Sequence, residues 1–157
     1  MNFKILSMNE IYAHEIAYNW KYEGIYSFYN MTEDNKDLEE FLDPEFWDHI
    51  FAVLDDKKDL CGFFSYETKE NILWIGLGLR PDLTGHGIGK EFTDACINFG
   101  LARNNCLKDY VMLSVAKFNT RAIKVYEKIG FKITEEYEQQ TNGSIYPFLK
   151  MRKEVGQ

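Results

Sequence analysis

Three glycines at alternate positions, Gly85, Gly87 and Gly89, stand between a strand-like run and a helix-like one. Asn71–Leu79 is rich in apolar, β-forming side chains. After the glycines, Phe92, Ala95, Cys96, Phe99 and Ala102 fall at i, i+3, i+4, i+7 and i+10, which is one face of a helix. A chain that passes from strand to helix through glycine exposes backbone N–H groups at a helix N-terminus. That arrangement suits an anion, because glycine allows close approach and the helix end carries partial positive charge. The glycines by themselves fit a tight turn equally well.

The two common nucleotide patterns do not fit the segment. G-x-G-x-x-G read from Gly85 needs a third glycine where Lys90 stands, and read from Gly76 it needs one where Pro81 stands. G-x-x-x-x-G-K-[ST] ending at Gly89-Lys90 needs glycine at Thr84 and a hydroxyl residue at Glu91.

The surrounding chain reads as alternating elements. Phe3–Leu6 is a short strand, and Asn9 caps a helix through Ile11, Ile16 and Ala17. Asp34–Leu42 is helical and ends before Pro44. Ile50–Leu54 and Leu60–Tyr66 are strands joined by a turn at the charged cluster 55–59. Tyr110–Ala116 is a buried strand. Ala122, Ile123, Tyr126 and Ile129 mark a helix that Gly130 ends, and Phe131–Glu135 and Tyr146–Met151 close the domain as strands. The 157 residues suit one α/β domain spanning 1–157, with a mixed sheet.

The net charge of −7 argues against a nucleic-acid partner, and it is unevenly spread. Residues 1–79 hold 16 acids and 6 bases, whereas residues 80–132 hold 5 acids and 9 bases. Three cysteines, without C-x-x-C spacing, indicate neither a disulfide framework nor a metal site. The N-terminus lacks a basic region followed by an apolar run, and the most apolar stretch, Ile72–Leu79, is too short to span a bilayer. A cytoplasmic protein with no membrane partner is expected; a homodimer is left open.

Thr84-Gly85-His86-Gly87-Ile88-Gly89, with Pro81 just before it, resembles the [Q/R]-x-x-G-x-[G/A] loop of the GNAT superfamily of acyl-CoA-dependent N-acetyltransferases. Asn119-Thr120-Arg121-Ala122-Ile123-Lys124-Val125-Tyr126-Glu127-Lys128-Ile129-Gly130-Phe131 resembles that family's N-x-x-A-x-x-x-Y-x-x-x-G-F run. The spacing leaves room for one helix and one strand between them. One departure is Thr84, where the family has Gln or Arg.

The resemblance implies a mixed, mostly antiparallel sheet of about seven strands with about four flanking helices, splayed at the middle to admit coenzyme A. It implies direct acetyl transfer from acetyl-CoA to an amine, with no metal. The backbone of Leu77 and Leu79 would meet the pantetheine, and a backbone N–H near Leu79 would hold the oxyanion. Thr84, Gly85, His86, Gly87, Ile88, Gly89 and Lys90 would meet the phosphates. Asn119 would contact the pantetheine arm, cap its helix, or both. Tyr126 stands at the position of the general acid, although it also lies on the apolar face of its helix. Gly76 and Gly78 would permit a bulge or splay. No base is assigned, because residues 71–79 contain no acid.

On the acceptor side, residues 18–29 include six aromatics. They serve either to pack helices on the sheet or to line an amine pocket, with Trp20, Tyr22 and Tyr26 on one face if the segment is extended. Residues 33–59 hold 11 acids and 3 bases, a solvated face that would also attract a cation. A small cationic amine is the expected acceptor. A protein N-terminus or lysine, and a CoA-binding sensor without catalysis, are the alternatives.

Overall fold

The computed structural model describes residues 2–155. In chain order the elements are β1 (Lys4–Ser7), α1 (Glu10–Asn19), α2 (Asn35–Leu42), β2 (Ile50–Leu54), β3 (Leu60–Lys69), β4 (Ile72–Leu79), α3 (Gly89–Ala102), β5 (Tyr110–Ala116), α4 (Thr120–Lys128), β6 (Lys132–Thr141) and β7 (Ser144–Glu154). Short 3-10 segments at Gly24–Tyr29, Met31–Glu33 and Pro44–His49 fill the connections around α2, and another, Pro81–Leu83, follows β4. Side-chain caps start α1, α2 and α4: Asn9 accepts from Tyr12 N–H, Asp34 from Asp37 N–H, and Asn119 from Ala122 N–H. Gly130, at φ +109°, turns the chain out of α4. Among the described residues, no helix is long and apolar enough to cross a membrane.

The seven strands form one sheet in the order β1-β2-β3-β4-β5-β7-β6. Every pairing is antiparallel except β4 with β5. That parallel pairing is short, running only from Leu73↔Val111 to Ile75↔Leu113. β3 nevertheless stays paired with β4 to Gly62↔Leu79, and β7 stays paired with β5 to Ala116↔Phe148. The sheet therefore opens as a cleft between Gly76–Leu79 and Ser114–Ala116, the splay that the resemblance implies.

Of the two outcomes expected of the β4 glycines, the splay is present beside them and the bulge is not. β3 and β4 keep an unbroken register past both of them, so neither makes a bulge. A Cβ on Gly78 would lie 2.1 Å from the Phe63 ring, and one on Gly76 would lie 2.6 Å from Ser65 Oγ. They admit cross-strand side chains from β3.

The core lies between the sheet and α3/α4 on one face, with Phe64, Leu73, Phe92, Val111, Phe131 and Met151 almost wholly buried. A second cluster, including Ala13, Ile16, Trp20 and Phe41, packs α1 and α2 against the sheet. The buried stripe of α3 is rotated from the expected one: it is Phe92, Thr93, Cys96, Ile97 and Gly100. Gly100 brings the helix close to the sheet, since an added Cβ would sit 3.0 Å from Leu73 Cδ2 and 3.3 Å from Phe64 Cζ. Gly100→Val is therefore expected to lower stability by about 1–3 kcal/mol through overpacking, read as the shift of a urea midpoint.

The last two strands are longer than expected. β6 reaches Thr141 and β7 begins at Ser144, whereas the sequence suggests strands ending at Glu135 and starting at Tyr146. β6 is an edge strand exposed along nearly its whole length, so no apolar alternation marks it.

Candidate active site

A cavity of about 830 Å³ occupies the cleft. Its walls come from β4, β5, the glycine loop, α4, residues 22–40 and the β6–β7 turn.

The β4 wall is a bare backbone edge. Arg80 N–H donates to Cys61 O of β3, so strand alternation directs Gly76 and Gly78 backbone groups to β3 and those of Leu77 and Leu79 to the cleft. With no β5 partner there, Leu77 offers a donor and an acceptor, and Leu79 offers its N–H. The Leu79 carbonyl is already taken by the Tyr22 hydroxyl.

The glycine loop forms the next wall. Gly85 and Gly87 adopt φ +79° and +82°, which disfavours a side chain, although a Cβ at either would meet nothing within 4 Å. Backbone conformation, not crowding, requires glycine at both. Among the described residues, the N–H groups of Gly85 to Lys90 have no protein acceptor. The Thr84 hydroxyl donates to Pro81 O at 2.7 Å, and its N–H reaches the same carbonyl at 3.3 Å, so Thr84 closes its own turn. Lys90 and Lys128 also line the cavity. His86 is exposed and does not line it, and neither does Ile88.

On the other side stand β5 and α4. Asn119 uses both ends of its amide, with Oδ1 accepting from Ala122 N–H at 3.2 Å and Nδ2 donating to Tyr29 Oη at 3.2 Å. One amide hydrogen is left over. Tyr126 is half-buried, lines the cavity, and packs edge-on against Phe131 with ring centroids 5.8 Å apart. It therefore packs within its helix's apolar face and also faces the cavity. Burial chiefly, with Tyr29 and Cys96 nearby, holds its phenol well above the ordinary tyrosine range.

The cavity wall at residues 22–40 differs from the sequence reading of the aromatic segment. The segment is not extended, since residues 24–29 form a 3-10 turn. Trp20 is 4% exposed, packs 6.4 Å from Phe63 by ring centroids, and does not line the cavity: it is a core residue. Tyr26 lines the cavity, but the Arg121 guanidinium lies 4.1 Å from its ring centroid and covers one face. Tyr22 lines the cavity with its hydroxyl committed to Leu79.

Of the acidic stretch, Asp34, Asp37 and Glu40 reach the cavity, and so does Lys36. Asp34 is bonded by Asp37 N–H at 3.0 Å and Asn142 N–H at 3.1 Å, and these donors hold its carboxyl below the usual range. Burial, then repulsion from Asp34 and Glu40, raises the Asp37 carboxyl. Sequence composition marks this stretch but does not select these three acids, because the selection comes from the cap of α2 and from the α2 face turned to the cleft. Among the described residues, no group of three or more His, Cys, Asp or Glu forms a metal site.

These features are those of a CoA-dependent acyltransferase fold, and residues 11–131 match the acetyltransferase (GNAT) family. The chain belongs to that family. It is 34% identical over 104 residues to the peptidyl-lysine N-acetyltransferase YjaB of Salmonella typhimurium, a match covering 65% of this chain and 63% of YjaB. In fold it is similar to a spermidine N-acetyltransferase SpeG chimera from Vibrio cholerae and hSSAT. That similarity has a TM-score of 0.77 and 20% identity over 99% of this chain and 96% of the other. It is also similar to a phosphinothricin acetyltransferase of Sinorhizobium meliloti in complex with AcCoA. There the TM-score is 0.69 and the identity 15%, over 99% of this chain and 90% of the other.

Proposed function

We propose that the protein is an N-acetyltransferase that moves the acetyl group of acetyl-CoA directly to a primary amine, with a small cationic acceptor favoured. One observation carries this reading: the unzipped β4–β5 edge joins a loop of unpaired backbone N–H groups to a cavity end lined by carboxylates. The cofactor's chemistry fits the residues present. Phosphates match the N–H groups of Gly85, Gly87, Gly89 and their neighbours, with Lys90 and Lys128 at hand. Amide groups of a pantetheine arm match Leu77 and Leu79 as an added strand would.

Acetyl-CoA supplies a thioester carbonyl as electrophile. The N–H of Leu79 faces the cleft and is suited to hold the oxygen as negative charge develops. Tyr126 donates a proton to the departing sulfur. Asp34, Asp37 and Glu40 draw the acceptor's ammonium to the open end. The amine itself must lose a proton before it attacks, at a cost of about 4–5 kcal/mol at neutral pH for an ordinary alkylamine. A lysine acceptor is the second reading, favoured by the likeness to YjaB.

The test is thiol release from acetyl-CoA across a panel of polyamines, amino acids, aminoglycosides and lysine peptides. Turnover by a polycationic small amine is expected. In Asp37→Asn the KM for that amine should rise about 3–10-fold with kcat nearly unchanged, because uniform binding is lost. Turnover of lysine peptides alone would establish the second reading. Tight CoA binding with no acceptor at all would make the protein a sensor.

A further inference from the structure

Parting β4 from β5 leaves backbone groups on two strand edges, and buried ones need partners. Two phenols supply them at the acceptor end. On the β4 edge the Tyr22 hydroxyl donates to Leu79 O. On the β5 edge Lys117 N–H turns to Pro147 O of β7, so alternation turns Ala116 N–H to the cleft, on the side of the Tyr29 phenol. Asn119 Nδ2 donates to the same oxygen at 3.2 Å.

The two phenols are mounted on one closed loop. Tyr22 N–H donates to Asn30 Oδ1 at 2.7 Å, which ties together the ends of the segment holding the Gly24–Tyr29 turn. Phe28 fixes that turn to the sheet side, with its ring 5.2 Å from Phe118 and 4.8 Å from Tyr146 by centroids, and its carbonyl accepts from Asn142 Nδ2 at 2.8 Å. Neither phenol was assigned this work by its sequence. The sequence places Tyr22 among candidate pocket-wall aromatics and does not single out Tyr29.

We propose that Tyr22 and Tyr29 are positioning residues that clasp the two strand edges across the mouth of the cleft and so set its width and the point where the thioester carbonyl stops. The proposal rests on the acetyltransferase reading for its catalytic half only. With the Leu79 carbonyl occupied by Tyr22, an incoming arm is left Leu77 and the Leu79 N–H, which aligns the reacting carbonyl with that N–H. Burial raises both phenols, so they remain neutral donors and acceptors through the working pH range.

The experiment compares Tyr22→Phe, Tyr29→Phe and the double variant. Amide exchange on the CoA-free protein reads the clasp directly: Ala116 N–H should exchange about 10-fold faster in Tyr29→Phe, since the hydroxyl that holds the loop against this strand end through Asn119 is lost. With acetyl-CoA and an active amine, each single variant should lower kcat about 10-fold while the Kd for CoA changes less than about 3-fold, as misplacement without lost binding predicts. The double variant should fall no further than the worse single, because both act through one cleft width. Unchanged Ala116 exchange, kcat within about 2-fold of wild type, or losses that multiply and track a drop in urea midpoint would each overturn the proposal. Calorimetry on the wild type keeps the two readings apart. A protein that binds no CoA loses the acetyltransferase reading, while Ala116 exchange still decides the clasp.

Discussion

Gly87→Val is expected to weaken CoA binding about 10–100-fold while changing the affinity for pantetheine, which lacks the phosphates, by less than about 3-fold. The reason is conformational. Gly87 sits at φ +82° with open space around its missing Cβ. A β-branched residue there meets no neighbour but strains its own backbone, at about 1–3 kcal/mol. The loop relieves that strain by rotating a peptide, and the rotated N–H no longer points where its neighbours point. Because Gly85 to Lys90 make no other use of these N–H groups, the loss falls on the anion and not on the fold. Calorimetry with both ligands checks it, and equal losses for the two would reduce the loop to a folding role. Gly85→Val, at φ +79°, should behave alike.

Much of this site was legible in the sequence, because the signals were local. Glycines at alternate positions after an apolar run, and an Asn that caps the helix carrying Tyr126, are decided by nearest neighbours along the chain. The family resemblance rests on those same positions. What escaped was set by contacts distant in sequence. Tyr22 and Leu79 are 57 residues apart, and Asn119 and Tyr29 are 90 apart, so no spacing rule joins them. Trp20 failed as a pocket residue because aromatic composition does not distinguish a wall from a core, and the Gly24–Tyr29 turn removes the alternation on which the pocket reading depended. The apolar spacing of α3 misses Thr93 and Gly100 because neither counts as apolar, yet both are buried and a Cβ on Gly100 would sit 3.0 Å from Leu73 Cδ2. The acidic stretch shows its sign but not its direction: among its described acids, Asp34, Asp37 and Glu40 turn to the cleft, with Lys36 beside them.

Tyr126→Phe is expected to lower kcat by about 100-fold or more, with little change in the KM for acetyl-CoA, as loss of a proton donor used only in the transition state requires. Its pH behaviour follows from its surroundings. Burial pushes the phenol above its ordinary value near 10, and the neighbouring Tyr29 and Cys96 push the same way. The neutral form is therefore favoured, and Tyr126 keeps its proton throughout the neutral and mildly alkaline range. Wild-type kcat should then show no descending limb from this group below about pH 10. The Phe variant should lower the whole plateau without moving the ascending limb, which belongs to the amine. A raised phenol also gives up its proton reluctantly, since a thiol's ordinary pKa is near 8.5 and a free phenolate would be uphill from the thiolate. Transfer is thus expected to occur as the carbon–sulfur bond breaks, and a solvent isotope effect on kcat should be present in the wild type and diminished in the variant. If the variant keeps its turnover at every pH, Tyr126 is a packing residue of α4 against Phe131, and the sulfur takes its proton from water in the open cavity.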